Sequence, residues 1–265
     1  MPKIKANGIE LYYELHGPPE AAVLVLSNGI LMSTASWAFQ TPVLSKHLRL
    51  LLYDCRGMWQ SEHPPGPYSM EQHADDLAAL LDALHIEQAH IGGISYGAEL
   101  SMEFALKYPQ RTQSLILSSA VSHVEPLLAA HIASWVAAAR ARDPETLFNV
   151  TYPLNFSEAW IAANPKALQA ARERYRTLDS AAFLELLLSF LALNITGRLH
   201  EIAAPTLVMV GEDDLLKPLK YAEIIAREIR GAELAVVPHA GHAVSWEQPG
   251  VFNTLLLGFV AKNSK

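Results

Sequence analysis

At 265 residues, 51% of them hydrophobic and 18% charged, the chain carries enough apolar side chains for a sizeable core, which excludes a disordered chain. Its 20 Lys and Arg against 27 Asp and Glu leave a net charge of -7, which argues against coating nucleic-acid phosphates and favours a small neutral ligand. The single cysteine, Cys55, excludes an intrachain disulfide and a cysteine-built zinc site, and fits a reducing compartment.

The N-terminal Met1-Pro2-Lys3-Ile4-Lys5 runs into polar residues with no apolar stretch before a small-residue cleavage site, so a cytoplasmic location is expected. Lys3 to Ala6 and Ile9 to His16 flank Asn7-Gly8, a pair that favours a hairpin turn. Apolar runs predict strands at Val23 to Ser27 and Leu50 to Asp54. A helix follows from Ser69 to His85: Ser69 and Gln72 have capping-box spacing, and Leu77, Leu80, Leu81 and Leu84 share one face. Strands are expected again at Ala89 to Ile94 and Ser114 to Ser119.

From about Ser122 to Arg198 the strand signals stop and a helical pattern rich in Ala, Leu and Arg takes over. Pro126, Pro144, Pro153 and Pro165 divide it into about five helices, since proline is tolerated at helix starts or between helices. Phe183 to Ile195, its most apolar stretch, is about half a membrane span and is broken by Glu185, Ser189 and Asn194, so no membrane crossing is expected. Strands resume at Thr206 to Gly211 and Glu233 to Val237. A C-terminal helix opens near Pro249 with Phe252, Leu255, Leu256 and Phe259 on one stripe. Eight strands alternating with helices predict an α/β fold, a mostly parallel sheet with helices on both faces. The expected organisation is a core of residues 1–121 and 199–265, with a helical cap, 122–198, inserted after the sixth strand.

Gly93-Ile94-Ser95-Tyr96-Gly97 follows an apolar strand and precedes a helical run. In that context a G-x-S-x-G sequence makes a tight turn that pushes the serine hydroxyl out at the strand end and aims the helix N-terminus at developing negative charge. A serine hydroxyl is a weak nucleophile unaided, so a histidine base and an orienting carboxylate are required. Asp213 and Asp214 follow one later strand, and His242 follows the last. A transition-state oxyanion needs two fixed donors, and the backbone N–H of Tyr96 is placed to be one of them.

With the elbow at Ser95, the G-x-x-D-x-x-x-P stretch from Gly211 to Pro218 and the G-H-x-x-x-x-E-x-P stretch from Gly241 to Pro249, the chain resembles the α/β-hydrolase superfamily over essentially its whole length. The resemblance implies Ser95 as nucleophile, His242 as base and Asp214 as the acid, with Asp213 the less favoured choice and His239 a loop histidine. It implies the backbone N–H of Ile30 as second oxyanion donor, in a loop where Asn28-Gly29 replaces the common His-Gly. It implies no metal and no organic cofactor.

Two subfamilies are echoed. Ser27-Asn28 and Pro64 to Gln72, with Asp76-Leu77 and Leu80 to Leu84, resemble 3-oxoadipate enol-lactonases; Asn28-Gly29 followed by Thr34-Ala35-Ser36 resembles acyltransferases and thioesterases acting on 3-hydroxyacyl chains. The expected activity is hydrolysis of a small, mainly apolar carboxylic ester or lactone through an acyl-enzyme. Acyl transfer or thioester cleavage with the same triad is one alternative, and a non-catalytic ligand-binding module on the same fold is another. The partner expected is a small-molecule ester or lactone, with no nucleic acid and no membrane; monomer and homodimer are both open.

Leu31, Trp37, His123, Phe183, Leu187 and Phe190 are the candidate pocket residues. The first two lie near the oxyanion loop, His123 follows the sixth strand, and the last three lie on an apolar helical arc. Other features read more plainly. Glu99, in a first helical turn, complements the helix dipole. Arg172, Arg174 and Arg176 form a solvated surface, Cys55 is a buried inert thiol, and Trp246 packs on the sheet edge. Trp59 stands where the family commonly has a second glycine, which predicts a reshaped loop.

Overall fold

A computed structural model describes residues 2–264, so Met1 and Lys265, the outer bounds of the expected core, lie outside the described residues. Asn7 and Gly8 both take positive φ, 46° and 81°, the backbone that a two-residue hairpin needs. They join β1 (Lys3–Ala6) to β2 (Ile9–His16) in an antiparallel pair with Ala6 opposite Ile9. The remaining strands are β3 (Val23–Ser27), β4 (Arg49–Tyr53), β5 (Ala89–Ile94), β6 (Thr112–Ser118), β7 (Thr206–Gly211) and β8 (Glu233–Val237). The sheet order is β1-β2-β4-β3-β5-β6-β7-β8. β2 pairs antiparallel with β4, and all later pairs are parallel. Each of the eight expected strands is present; β4 starts and ends one residue earlier than expected, and β6 starts two residues earlier and ends one earlier.

Because β3 lies between β4 and β5, the chain leaves β3 in one direction for β4 and returns across it to β5. Such a switch opens a crevice at the carboxyl ends of the strands, where ligands bind in open α/β sheets. Strand pleating sends alternate residues to opposite faces. Leu24, Leu26 and Ile116 join Trp37, Phe252 and Leu256 on one side, whereas Val25, Leu115 and Leu117 join Leu77, Leu81 and Phe104 on the other. Two layers of helix therefore cover a sheet whose inner strands β5 and β7 are buried along their whole length.

The helix Met70–Ala83 starts as expected, with Ser69 Oγ accepting from the Gln72 N–H at 3.1 Å. Between β6 and β7 the described chain forms five α-helices: Pro126–Ala141, Pro144–Asn155, Glu158–Ala163, Pro165–Tyr175 and Ser180–Leu191. Pro126, Pro144 and Pro165 each open one. Pro153 does not separate helices: it sits in the last turn of Pro144–Asn155, where the helix ends two residues later and the missing N–H costs one bond of a fraying end. The next helix starts on a side-chain cap, Ser157 Oγ accepting from Trp160, and the last starts on Asp179, whose carboxylate accepts from Ala181 and Ala182. The two ends of this segment are tied together at its base. A His123–Asn194 bridge, an Ile195 N–H to Ser122 carbonyl bond of 2.8 Å and a Ser122–Thr196 hydroxyl contact of 2.7 Å hold them. Among the described residues, no helix is long and apolar enough to cross a membrane.

Candidate active site

Ser95 joins β5 to the helix Tyr96–Lys107 at φ 55° and ψ -120°, a conformation that L-residues avoid and that persists only where the surroundings enforce it. Glycine on both sides permits this turn. A Cβ at Gly93 would lie 2.4 Å from the Gly97 carbonyl carbon, and one at Gly97 would lie 2.1 Å from the Ser27 carbonyl oxygen. The Ser95 N–H donates to the Ser118 carbonyl at 2.8 Å, so the elbow is also pinned to the end of the neighbouring strand β6.

Asp214 and His242 come from the loops after β7 and β8. Both are buried, and His242 Nδ1 lies 2.9 Å from Asp214 Oδ2. The other carboxylate oxygen accepts from the backbone N–H groups of Leu216, at 3.0 Å, and Lys217, at 2.8 Å. These bonds leave Oδ2 to the imidazole. Asp213 is exposed, and the structure brings Asp214, not Asp213, to the histidine. The two loops approach closely because Gly211 has no side chain: a Cβ there would meet the Gly241 carbonyl at 2.1 Å. Ser119 Oγ donates to the His242 carbonyl at 2.9 Å, and Glu247 accepts from Gly241 N–H at 3.0 Å and from Ser157 N–H at 3.1 Å. The histidine loop is thus bound both to the sheet and to the helical segment. His239 lies exposed on that loop.

Lys217 is the charged residue of the site that the sequence did not point to. Its Nζ donates to Ser95 Oγ at 3.1 Å and to the two oxygens of Glu99 at 2.8 and 3.0 Å, and it stands 4.7 Å from the Phe190 ring centroid. Glu99 therefore does more than complement a helix dipole: it is 0% exposed, paired with a lysine that is 3% exposed, and it accepts the Val121 N–H at 2.9 Å. Burial pushes the Glu99 carboxyl above its ordinary value, and the adjacent Lys217 ammonium acts in the opposite direction. Nothing local marks the pair: Glu99 lies two residues past the Gly93–Gly97 stretch and Lys217 inside the Gly211–Pro218 stretch, and neither position points to the other.

The pocket at Ser95 is lined by Ile30, Ser95, Tyr96, Ile132, Trp135, Leu187, Phe190, Leu216 and Lys217, and has a volume of about 20 Å³. Leu187 and Phe190 come from the arc expected to line it; Ile132, Trp135, Leu216 and Lys217 were not foreseen. The other candidates lie elsewhere. Trp37 is fully buried, donates from Nε1 to Asn28 Oδ1 at 2.8 Å, and packs against Phe252. Phe183 is fully buried in the core, and Leu31 packs against the edge of that core. His123 sits at the base of the helical segment, with Nδ1 3.0 Å from Thr196 Oγ1. Among the described residues, no group of three or more His, Cys, Asp or Glu is placed to hold a metal ion.

Asn28 ties the loop after β3 to the end of β4. Its Nδ2 donates to Asp54 Oδ1 at 3.0 Å while its Oδ1 accepts from Trp37. Asp54 also accepts the N–H groups of Thr34 and Gln60, at 2.9 and 3.1 Å. Trp59 takes φ 40°, the left-handed conformation that favours glycine, so the tryptophan is accommodated without leaving that geometry. Arg174 covers it, 3.8 Å from the ring centroid, and reaches Ser36 Oγ at 3.3 Å. Arg174 is thus a link between helical segment and core, whereas Arg172 and Arg176 pair with Glu145 nearer the surface. Trp246 donates to the Ser36 carbonyl at 2.9 Å and meets Phe39 edge-on, which places it against this loop and not on the sheet edge. Cys55 is buried, and burial pushes its thiol up to about 12, which keeps it protonated and unreactive.

Burial raises the Asp54 carboxyl to about 6, against the hydrogen bonds that lower it. A carboxyl raised above its unfolded value binds its proton more tightly in the folded chain, so its ionisation costs stability above pH 6 and that cost is relieved as the pH falls. Between pH 7 and pH 5 the unfolding free energy of the wild type should gain about 1 kcal/mol relative to Asp54→Asn. Urea unfolding of both proteins at the two pH values measures it, and a gap that stays constant or moves the other way contradicts the assignment.

The sequence model described as the alpha/beta hydrolase fold matches residues 22–249. A protein of Azorhizobium caulinodans named "Putative carbamate hydrolase RutD" is 31% identical over 261 residues, covering 98% of each chain. An alpha/beta hydrolase enzyme from a Medee basin deep-sea metagenome library superimposes with a TM-score of 0.93 at 30% identity, over 100% of this chain and 98% of that one. The enol-lactonase from Burkholderia xenovorans LB400 superimposes with a TM-score of 0.92 at 27% identity, over 98% of this chain and 100% of that one.

Proposed function

Because the chain belongs to the α/β-hydrolase family, we propose that it is a serine hydrolase that cleaves a small, mainly apolar carboxylic ester or lactone through an acyl-enzyme. Ser95 Oγ attacks the carbonyl carbon while its proton passes to His242 Nε2, and Asp214 stabilises the imidazolium that forms. The N–H groups of Ile30 and Tyr96 hold the oxyanion. Collapse breaks the ester bond and the leaving alcohol takes the proton from His242; in a lactone that alcohol stays tethered to the acyl group. A water then gives its proton to His242 and attacks the acyl carbon, and the proton returns to Ser95 Oγ as the acid leaves. The observation that carries this reading is the buried 2.9 Å contact of His242 with Asp214 at the strand ends that also carry Ser95.

Helices 126–191 act in this proposal as a cap. Ile132, Trp135, Leu187 and Phe190 line the pocket, whose volume of about 20 Å³ holds little more than one water, so an acyl chain enters as these side chains part, and each CH₂ then buried among them contributes about 0.8 kcal/mol. A carboxylate in that apolar enclosure lacks a free cation, since Lys217 is already paired with Glu99. The value of kcat/KM is therefore expected to rise from acetyl to butyryl or hexanoyl p-nitrophenyl esters and to be low for carboxylated lactones. The carbamate in the name of the Azorhizobium relative presents a carbonyl open to the same attack, so a neutral carbamate ester belongs in the series. A strong preference for a carboxylated lactone over every neutral ester overturns the proposed substrate class.

A further inference from the structure

Among the described residues that line the pocket, Lys217 is the only one with a charged side chain. An ammonium has three donors: two face the carboxylate of Glu99, at 2.8 and 3.0 Å, and a third reaches Ser95 Oγ at 3.1 Å. Glu99 is itself held by the Val121 N–H, and the Phe190 ring lies 4.7 Å from Nζ. The cation is therefore fixed in place. Stability is a poor account of this arrangement, because a buried ion pair is often no more stabilising than apolar residues of the same volume.

Its position beside the nucleophile has a chemical consequence. Once Ser95 Oγ is attacking or acylated it offers less to an external donor, and the third N–H of Lys217 faces the acyl chain in an otherwise apolar enclosure. A buried donor left without a partner costs free energy, so the site discriminates against an acyl chain that offers no acceptor. Resting on the serine-hydrolase reading above, we infer that Lys217, held by Glu99, binds a neutral oxygen on the acyl group two or three atoms from the scissile carbonyl. The preferred substrates are esters or lactones of hydroxy, oxo or alkoxy acids. A neutral acceptor fits better than a carboxylate: at the site itself, buried Asp214 and Glu99 against Lys217 already leave an excess of one negative charge, and a substrate carboxylate adds a second.

Ester pairs that differ only by oxygen for CH₂ test this. p-Nitrophenyl methoxyacetate is compared with the butyrate, and 3-methoxypropanoate with the pentanoate; each kcat/KM ratio is divided by the ratio for hydroxide hydrolysis, which removes inductive effects. The wild type should favour the oxygenated ester by about 10-fold or more in at least one pair, as a hydrogen bond to a charged donor allows. In the paired replacement Lys217→Met with Glu99→Gln, which leaves no unpaired buried charge, that preference should fall to about one. A normalised wild-type ratio of one in both pairs overturns the inference without needing a folded variant, and so does a double variant that keeps the wild-type ratio. Absence of turnover of every ester, or turnover that survives Ser95→Ala, overturns instead the hydrolase reading beneath it.

Discussion

Ser95→Ala is expected to lower kcat by roughly 10³-fold or more, His242→Ala by a similar factor, and the double variant to be little slower than either single one. The reason is that nucleophile and base act in one step: with the hydroxyl gone, no proton remains for the imidazole to accept, and with the imidazole gone the hydroxyl is a weak nucleophile at neutral pH. Residual turnover then comes from the oxyanion donors and from binding, which both variants keep. Steady-state kinetics on one ester with all three variants decide the matter. If the double variant loses the product of the two single effects, the residues act independently and the proposed triad is wrong.

Asp214→Asn should reduce kcat by roughly 10³- to 10⁴-fold, whereas Asp213→Asn should leave it within a few-fold of wild type. Asp214 Oδ1 is committed to the backbone N–H groups of Leu216 and Lys217, so its other oxygen meets His242 Nδ1 at 2.9 Å. In the asparagine variant the same backbone donors retain the amide oxygen, which turns the NH₂ toward the ring. A donor facing Nδ1 selects the tautomer with its proton on Nε2, which leaves the ring unable to accept the proton of Ser95. Asp213 is exposed and has no such contact. Thermal unfolding of both variants near the wild-type temperature separates this effect from loss of the fold, and an equal loss in the two variants removes Asp214 from the proposed mechanism.

The sequence alone determined the eight strands in order, the Asn7-Gly8 hairpin and the long helical interruption, and it marked Ser95, His242 and the Asp213-Asp214 pair as candidates, with Asp214 preferred only through the family resemblance. Those features are local. A buried parallel strand is a short apolar run, a helix face recurs every three or four residues, and a tight turn needs glycine where a Cβ would collide, as at Gly93 and Gly97. Pro153 misled for a local reason as well, because its cost depends on how many helical residues follow it, and only two do.

The tertiary structure alone decided which distant side chains meet. Glu99 and Lys217 are 118 residues apart, and nothing local to either marks the other as its partner. Only the parallel stacking of β5, β6 and β7 carries the loop after β7 over the first turn of the helix after Ser95 and buries both charges together. Trp37 and Phe190 differ for the same reason. Both are large apolar residues, one near the loop after β3 and one on an apolar arc, but Trp37 has an acceptor at Asn28 and a slot beside Phe252, whereas Phe190 lines the pocket that also holds Ser95. Apolar patterning states that a side chain leaves water; which surface it leaves water against is set by the packing of elements far apart in the chain.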